Sequence, residues 1–227
     1  MEYLAEAQLA TFRADYHSSN MTVSSAPPDH RLPRKAIPAQ VIVAARAKFL
    51  YFGVHRTTMA DVSRDVGMPR QTLYEYVSSR DELVEAVLIQ RIHEIAQEVK
   101  PHALKSFGPM LVQTALGAIR FARSDRELMN LWATGPKEIV QKVVVGGCQE
   151  IHDIVSRLFA PILDFGEQSG ELRSDKSRDE IIDWFRIVFL SLITQVDISP
   201  KMEESIVGDF LLTSVTGSGG KISGTRQ

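Results

Sequence analysis

From about residue 39 onward, apolar side chains recur every three or four positions, the spacing of helices rather than of strands. Ile42, Ala45, Phe49 and Phe52 trace one such face, and Gly53 closes it. Thr58 then stands three residues before Asp61, a capping box that opens a short helix with Met59, Val62 and Val66 on its apolar face. Gly67 suits a left-handed stop, and Pro69 suits the first turn of the next helix, where its missing N–H costs nothing. That helix is about two turns long. It buries Leu73 and Val77 and leaves Arg70, Gln71, Thr72, Tyr74 and Tyr76 available to face outward. Ser79 and Glu82 form a second capping box ahead of a longer helix, in which Val84, Val87, Leu88, Ile92 and Ile95 share one side and which Pro101 ends. A short helix, a glycine turn and a second short helix that presents donors and aromatics make the layout of a helix-turn-helix. That layout implies DNA binding.

Helical spacing continues over 110–122, 125–133, 179–196 and 202–215, and over a long segment from Lys137 to Phe165 interrupted by Gly146 and Gly147. No alternating strand pattern of useful length occurs, so the expected class is all-α. Residues 1–38, with the run SSNMTVSSAPPDHRLPRK, read as a weakly ordered extension ending in a basic arm of Arg31, Arg34 and Lys35. The tail 217–227, GSGGKISGTRQ, reads as flexible.

Charge adds one point to this pattern. The 227 residues carry a net charge of −2, which does not suggest a nucleic-acid partner. Between Arg31 and Arg91, however, ten basic residues face six acids, so this segment is +4 and the remainder −6. Cys148 is the single cysteine, which rules out an intrachain disulfide and reads as a small helix residue rather than a reactive thiol. The N-terminus MEYLAEAQLATF lacks the basic start and apolar run of a signal peptide. The most apolar stretch, Trp184 to Ile193, contains Arg186 and falls far short of the roughly 20 residues that span a bilayer. A cytoplasmic protein without membrane contact is expected. The six histidines do not cluster at metal-ligand spacing, and no GxSxG, HExxH, CxxC or P-loop occurs. The expectation is no metal, no cofactor and no enzymatic activity.

The order Gly53, Thr57-Thr58, Asp61-Val62, Gly67, Thr72-Leu73-Tyr74, Tyr76, Ser79-Arg80, Leu83 resembles the N-terminal domain of TetR-family transcriptional regulators. The resemblance covers residues 39 to about 90 closely. It implies a homodimer with a three-helix DNA-binding domain at 39–85. A helical domain at 86–216 would bind a small-molecule effector and dimerise. It also implies repression of transcription, relieved when the effector frees the protein from a double-stranded, palindromic operator. Carried across, Thr58 caps the second helix and touches a phosphate, while Arg70, Gln71 and Thr72 meet base edges. Tyr74 and Tyr76 match backbone-contacting aromatics, and Arg80 matches the basic residue heading the fourth helix. Chemistry agrees: arginine can pair bidentately with guanine and glutamine with adenine, and tyrosine hydroxyls donate to phosphates. Half-buried packing remains the alternative for both tyrosines. Ala60 stands where relatives often place a basic residue, Glu75 is acidic within the recognition helix, and Val77 replaces a frequent Phe.

In the second domain Phe107, Met110, Leu131, Trp132, Phe159 and Phe165 are candidates to line a pocket for a mostly apolar effector, and each is equally plausible as core. Gly146 and Gly147 would permit a kink or a close helix crossing beside it. Trp184, Phe185, Val188, Phe189 and Leu192, then Phe210, offer more apolar surface than one subunit readily buries. The resemblance makes these two helices the dimer's four-helix bundle; an internal helix pair is the alternative. The helix from Arg80 to Lys100 is the expected coupling element, because it touches both domains. A helical ligand-binding or scaffold protein without operator binding is the rival functional reading.

Overall fold

The computed structural model of the protein describes residues 36–101, 105–144, 148–195 and 197–217. The first three helices, α1 (Ala39–Phe52), α2 (Met59–Val66) and α3 (Arg70–Tyr76), lead into the long α4 (Arg80–Glu98). Helices α5 (Phe107–Ser124), α6 (Arg126–Thr134) and α7 (Lys137–Val144) follow, then α8 (Gln149–Ser169) and α9 (Arg178–Thr194). The C-terminal run is α10 (Pro200–Ser205), a π-helical turn at Ile206–Leu211, and α11 (Leu212–Val215). Among the described residues there is no strand beyond an isolated antiparallel bridge between Leu172 and Thr216. The class is all-α.

The helix starts follow the capping signals. Thr58 and Asp61 make the full reciprocal box at the head of α2. At α4 only half of the expected box forms: Ser79 accepts from the Glu82 N–H, but the Glu82 carboxylate accepts from the N–H and hydroxyl of Ser78. Helix α1 buries Val41, Ala45 and Phe49, a stripe with a strict four-residue step, while Phe52 is half exposed. The expected face is therefore rotated by about one residue, because α2 and α4 both pack against the 41-45-49 side. The long segment expected from Lys137 to Phe165 is two helices, with α7 ending at Val144 and α8 beginning after Cys148. Gly146 and Gly147 lie outside the described residues, as does the extension through residue 35.

Two buried clusters carry the fold. One runs from Val41, Phe49, Val62 and Leu73 along α4 to Leu128, Val143 and Ile154. It is continuous from the first three helices into the second domain. The other gathers Phe107, Leu111, Phe159, Leu163, Phe185 and Leu211 from α5, α8, α9 and the C-terminal run. Gly166 makes this second core possible: a Cβ there would sit 2.6 Å from the Phe107 ring, so only glycine lets α8 lie this close to α5. No helix among the described residues is long and apolar enough to cross a membrane.

Candidate nucleic-acid interface and effector cavity

The turn between α2 and α3 aims the second helix. Gly67 takes φ 69° and ψ 25°, the left-handed conformation that glycine adopts without steric cost. Its N–H bonds to the Arg64 carbonyl, and the Met68 N–H bonds to the Ser63 carbonyl at 3.0 Å, the paired bonds of a Schellman stop. The Ser63 hydroxyl adds a bond to the Met68 carbonyl. Leu73 and Val77 are fully buried beneath α3, which leaves Arg70, Gln71, Tyr74 and Glu75 exposed and Thr72 and Tyr76 half-buried. Arg70 lies over the Tyr74 ring at 5.4 Å, and its Nη2 donates to the Tyr74 hydroxyl at 3.1 Å. The pair stiffens two long side chains on the outward face before any partner arrives.

Thr58 also sits on this side, exposed, but its hydroxyl already donates to the Asp61 carboxylate at 2.6 Å. That bond, followed by one from the Thr58 N–H, holds Asp61 below its ordinary carboxylate value. Arg80 is placed differently from the expectation of a cation open to phosphate. Its Nη1 donates to the His55 carbonyl at 3.3 Å, and its Nε is buried without an acceptor among the described residues. Arg80 therefore staples the α1–α2 turn to the head of α4, with any anion contact limited to what that geometry leaves. Most other cations of the domain are also committed: Lys48 pairs with Asp65, and Arg64 with Asp61. Among the described residues, no acid lies within ion-pair distance of Arg56 or Arg70.

A cluster of charges absent from the sequence expectations joins α1, α4 and α6. Arg46 on α1 donates to Glu94 on α4 at 2.8 Å and to Glu127 on α6 at 2.5 Å. Arg91 on α4 bonds Glu94 at 2.8 Å and also Asp125, which caps α6 by accepting from the Leu128 N–H at 2.7 Å. The bond to Glu127 raises the Arg46 guanidinium, and the bond from Arg91 pulls Asp125 below its usual value. Burial pushes Glu94 up, but its bonds from Arg91, Gln90 and Arg46 outweigh that and leave it lowered. Only the Arg91–Glu94 pair, one helical turn apart, has a local spacing that sequence could offer. Arg46 and Glu127 are 81 residues apart.

Directly beyond this cluster lies a half-open apolar cavity of about 110 Å³. Its walls are Ile92, Ile95 and Ala96 of α4, Ala118 and Ala122 of α5, Leu128 and Trp132 of α6, Ile151, Ile154 and Leu158 of α8, and Arg186, Phe189 and Ile193 of α9. Of the described residues expected to line a pocket, only Trp132 does so. Phe107, Met110 and Phe159 belong to the second core, and Leu131 is buried in the first. The reason is volume: free space lies where Ala96, Ala118 and Ala122 face one another, whereas the large aromatics fill the space around themselves. Three alanines on facing helices were the available signal. Among the described residues no group of three potential ligands could hold a metal ion.

The residues expected between subunits divide in two. Phe185, Val188, Phe189 and Leu192 are buried within the subunit, and Phe159, Phe185 and Phe189 form one aromatic cluster with ring centres 5.1–5.8 Å apart. They are core, because α9 turns this stripe toward α5 and α8. Trp184 and Phe210 are exposed, joined by Ile187, and the Trp184 indole donates to Ser214 Oγ at 2.9 Å.

These features define a helix-turn-helix domain fused through α4 to a helical domain with an internal cavity. Residues 41–87 match the model of bacterial regulatory proteins of the tetR family. It is similar to the HTH-type transcriptional regulator Rv1816 of Mycobacterium tuberculosis, 32% identical over 66 residues that cover 29% of this chain and 28% of the relative. The chain thus matches little more than a quarter of that relative's length. Its fold is similar to that of QsdR, a TetR-family transcriptional repressor of R. erythropolis, with TM-score 0.59 and 22% identity over 80% of this chain and 96% of the other. RolR, solved in complex with resorcinol, shares the fold at TM-score 0.52 and 18% identity, over 79% of this chain and 87% of the other.

Proposed function

We propose that the protein is a ligand-responsive, DNA-binding transcriptional regulator that works as a homodimeric repressor on a palindromic operator and is released by a small, mostly apolar effector. The observation that carries the reading is the outward face of α3, where Arg70 and Tyr74 are exposed and mutually oriented above a buried anchor of Leu73 and Val77. Arg70 would read a guanine, with Gln71 and Thr72 beside it, while Tyr74, Tyr76 and Thr58 would contact phosphates. The apolar cavity supports the effector half of the proposal, as does the resorcinol bound by RolR, a protein of the same fold.

Coupling follows from the shared walls. Ile92 and Ile95 line the cavity from α4, and Leu128 and Trp132 line it from α6, while Arg46 of the DNA-binding domain holds both helices. An effector that spreads α4 from α6 would change the seat of Arg46 and with it the angle of the first three helices. Two exposed aromatics, Trp184 and Phe210, with Ile187, replace the buried phenylalanines as the proposed seam between subunits.

Fluorescence anisotropy with a selected operator tests the DNA half. Arg70→Ala should relax base preference and cost roughly 1–3 kcal/mol, whereas Tyr74→Phe should weaken binding to all sequences about equally. If both variants bind like the wild type, α3 is not the reading helix.

A further inference from the structure

We infer that the ligand of the apolar cavity is a small monocarboxylic acid with an apolar body of about one ring, and that Arg186 receives its carboxylate. The inference rests on the effector reading above and deepens it. Arg186 is the one charged residue in the cavity wall, on α9 one turn ahead of Phe189 and Leu190. On its other side it borders a polar cleft with His152, Asp153 and Ser156. Its side chain is only 11% exposed.

A guanidinium brings five N–H bonds that need acceptors, one on Nε and two on each Nη. Nη2 of Arg186 lies 3.3 Å from Asp183 Oδ1. Nε and Nη1 expose almost no surface, either to water or to the cavity, and have no hydrogen-bond acceptor among the described residues, so the guanidinium turns toward the cavity when a ligand reaches them. A buried cation with several unmatched donors is costly, and an incoming acceptor relieves that cost at the moment it binds. The rest of the wall is hydrocarbon apart from the Trp132 indole, so no other wall group competes for a carboxylate. Asp179 and Asp183 oppose an anion, but both project largely into water, where screening is strong. The cavity volume of about 110 Å³ is of the order of an engineered apolar void that takes up benzene, which sets the size of the body. An ionised carboxylate fits the guanidinium better than a neutral hydroxyl does, because charge assistance shortens and strengthens each bond.

The test uses benzoate and benzyl alcohol, two probes with the same ring, titrated calorimetrically into the full-length protein. In a Trp184→Phe background, quenching of Trp132 reports that the cavity is the site occupied. Benzoate should bind at least about tenfold more tightly than benzyl alcohol, and Arg186→Gln should abolish that preference by weakening benzoate far more than the alcohol. Arg186→Lys, which keeps the charge, should retain part of it. Equal affinities of the two probes for the wild type, or a preference that survives in Arg186→Gln, overturn the acid assignment while leaving the cavity as an effector site. Binding of neither probe overturns the acid assignment and the cavity's effector role together. The wild-type comparison stands whatever Arg186→Gln does to folding.

Discussion

Replacing Phe189 with alanine separates a core residue from an interface residue. Phe189 is 7% exposed, touches the Phe159 and Phe185 rings, and forms part of the cavity wall. Truncation removes about 100 Å³ of ring, and at ~24 cal/mol per Å³ the added void alone costs ~2.4 kcal/mol. The lost transfer free energy of the ring adds about 1.5–3 kcal/mol. Collapse cannot recover much of this, because the site already opens onto free volume. The expected total is therefore about 4–5 kcal/mol, near the top of the range for Phe→Ala. At about 2–4 °C per kcal/mol for a chain of this size, Tm should fall by roughly 8–20 °C. Thermal unfolding followed by circular dichroism measures it. Because the lost contacts lie within one subunit, the difference from wild type should be the same at protein concentrations about tenfold apart. A fall of less than about 3 °C, or one that grows steeply on dilution, would place Phe189 at a subunit seam and refute the assignment to the core.

Two further outcomes are expected. Phe210→Glu, at a position 67% exposed, should leave the circular dichroism spectrum intact and shift sedimentation toward the monomer, whereas an unchanged dimer would put the seam elsewhere. Asp125 is held below its ordinary value by Arg91, so its contribution to stability is complete above the unfolded Asp value of about 3.9 and is lost as pH falls through the lower folded value. Urea midpoints of wild type should therefore drop faster than those of Asp125→Asn across that acid window, and parallel curves would show that Asp125 is not coupled to folding.

Local signals in the sequence were reliable wherever a single turn of chain decides the geometry. Thr58 with Asp61, Gly67 and the Leu73–Val77 anchor all behave as their spacing predicts, because caps and left-handed stops depend on neighbours within five residues. The short helix α3 was legible for the same reason. What depends on helix phase across the fold was not. The stripe on α9 satisfies an interface and a core equally well on paper; only the packing of α5 and α8 decides that Phe185 and Phe189 turn inward while Trp184 stays out. Arg80 reads as a free cation until the His55 carbonyl, 25 residues away, is brought beside it. Large aromatics do not mark the cavity, because empty space is made by what is small.

The joint between the DNA-binding helices and α6 is made of ions where it leaves the buried core. Arg46 and Glu94 are each about a quarter exposed, so water already reaches the atoms that hold the joint together. A hydrocarbon joint twisted open would expose area at about 25 cal/mol per Å². Here a twist exchanges the Glu94 carboxylate for water at one nitrogen of Arg46 while the bond from another nitrogen to Glu127 holds. The bearing is lubricated. Its stiffness is consequently a property of the solution as well as of the protein: raising ionic strength loosens Arg46 from its partners while leaving the apolar axle of α4 untouched.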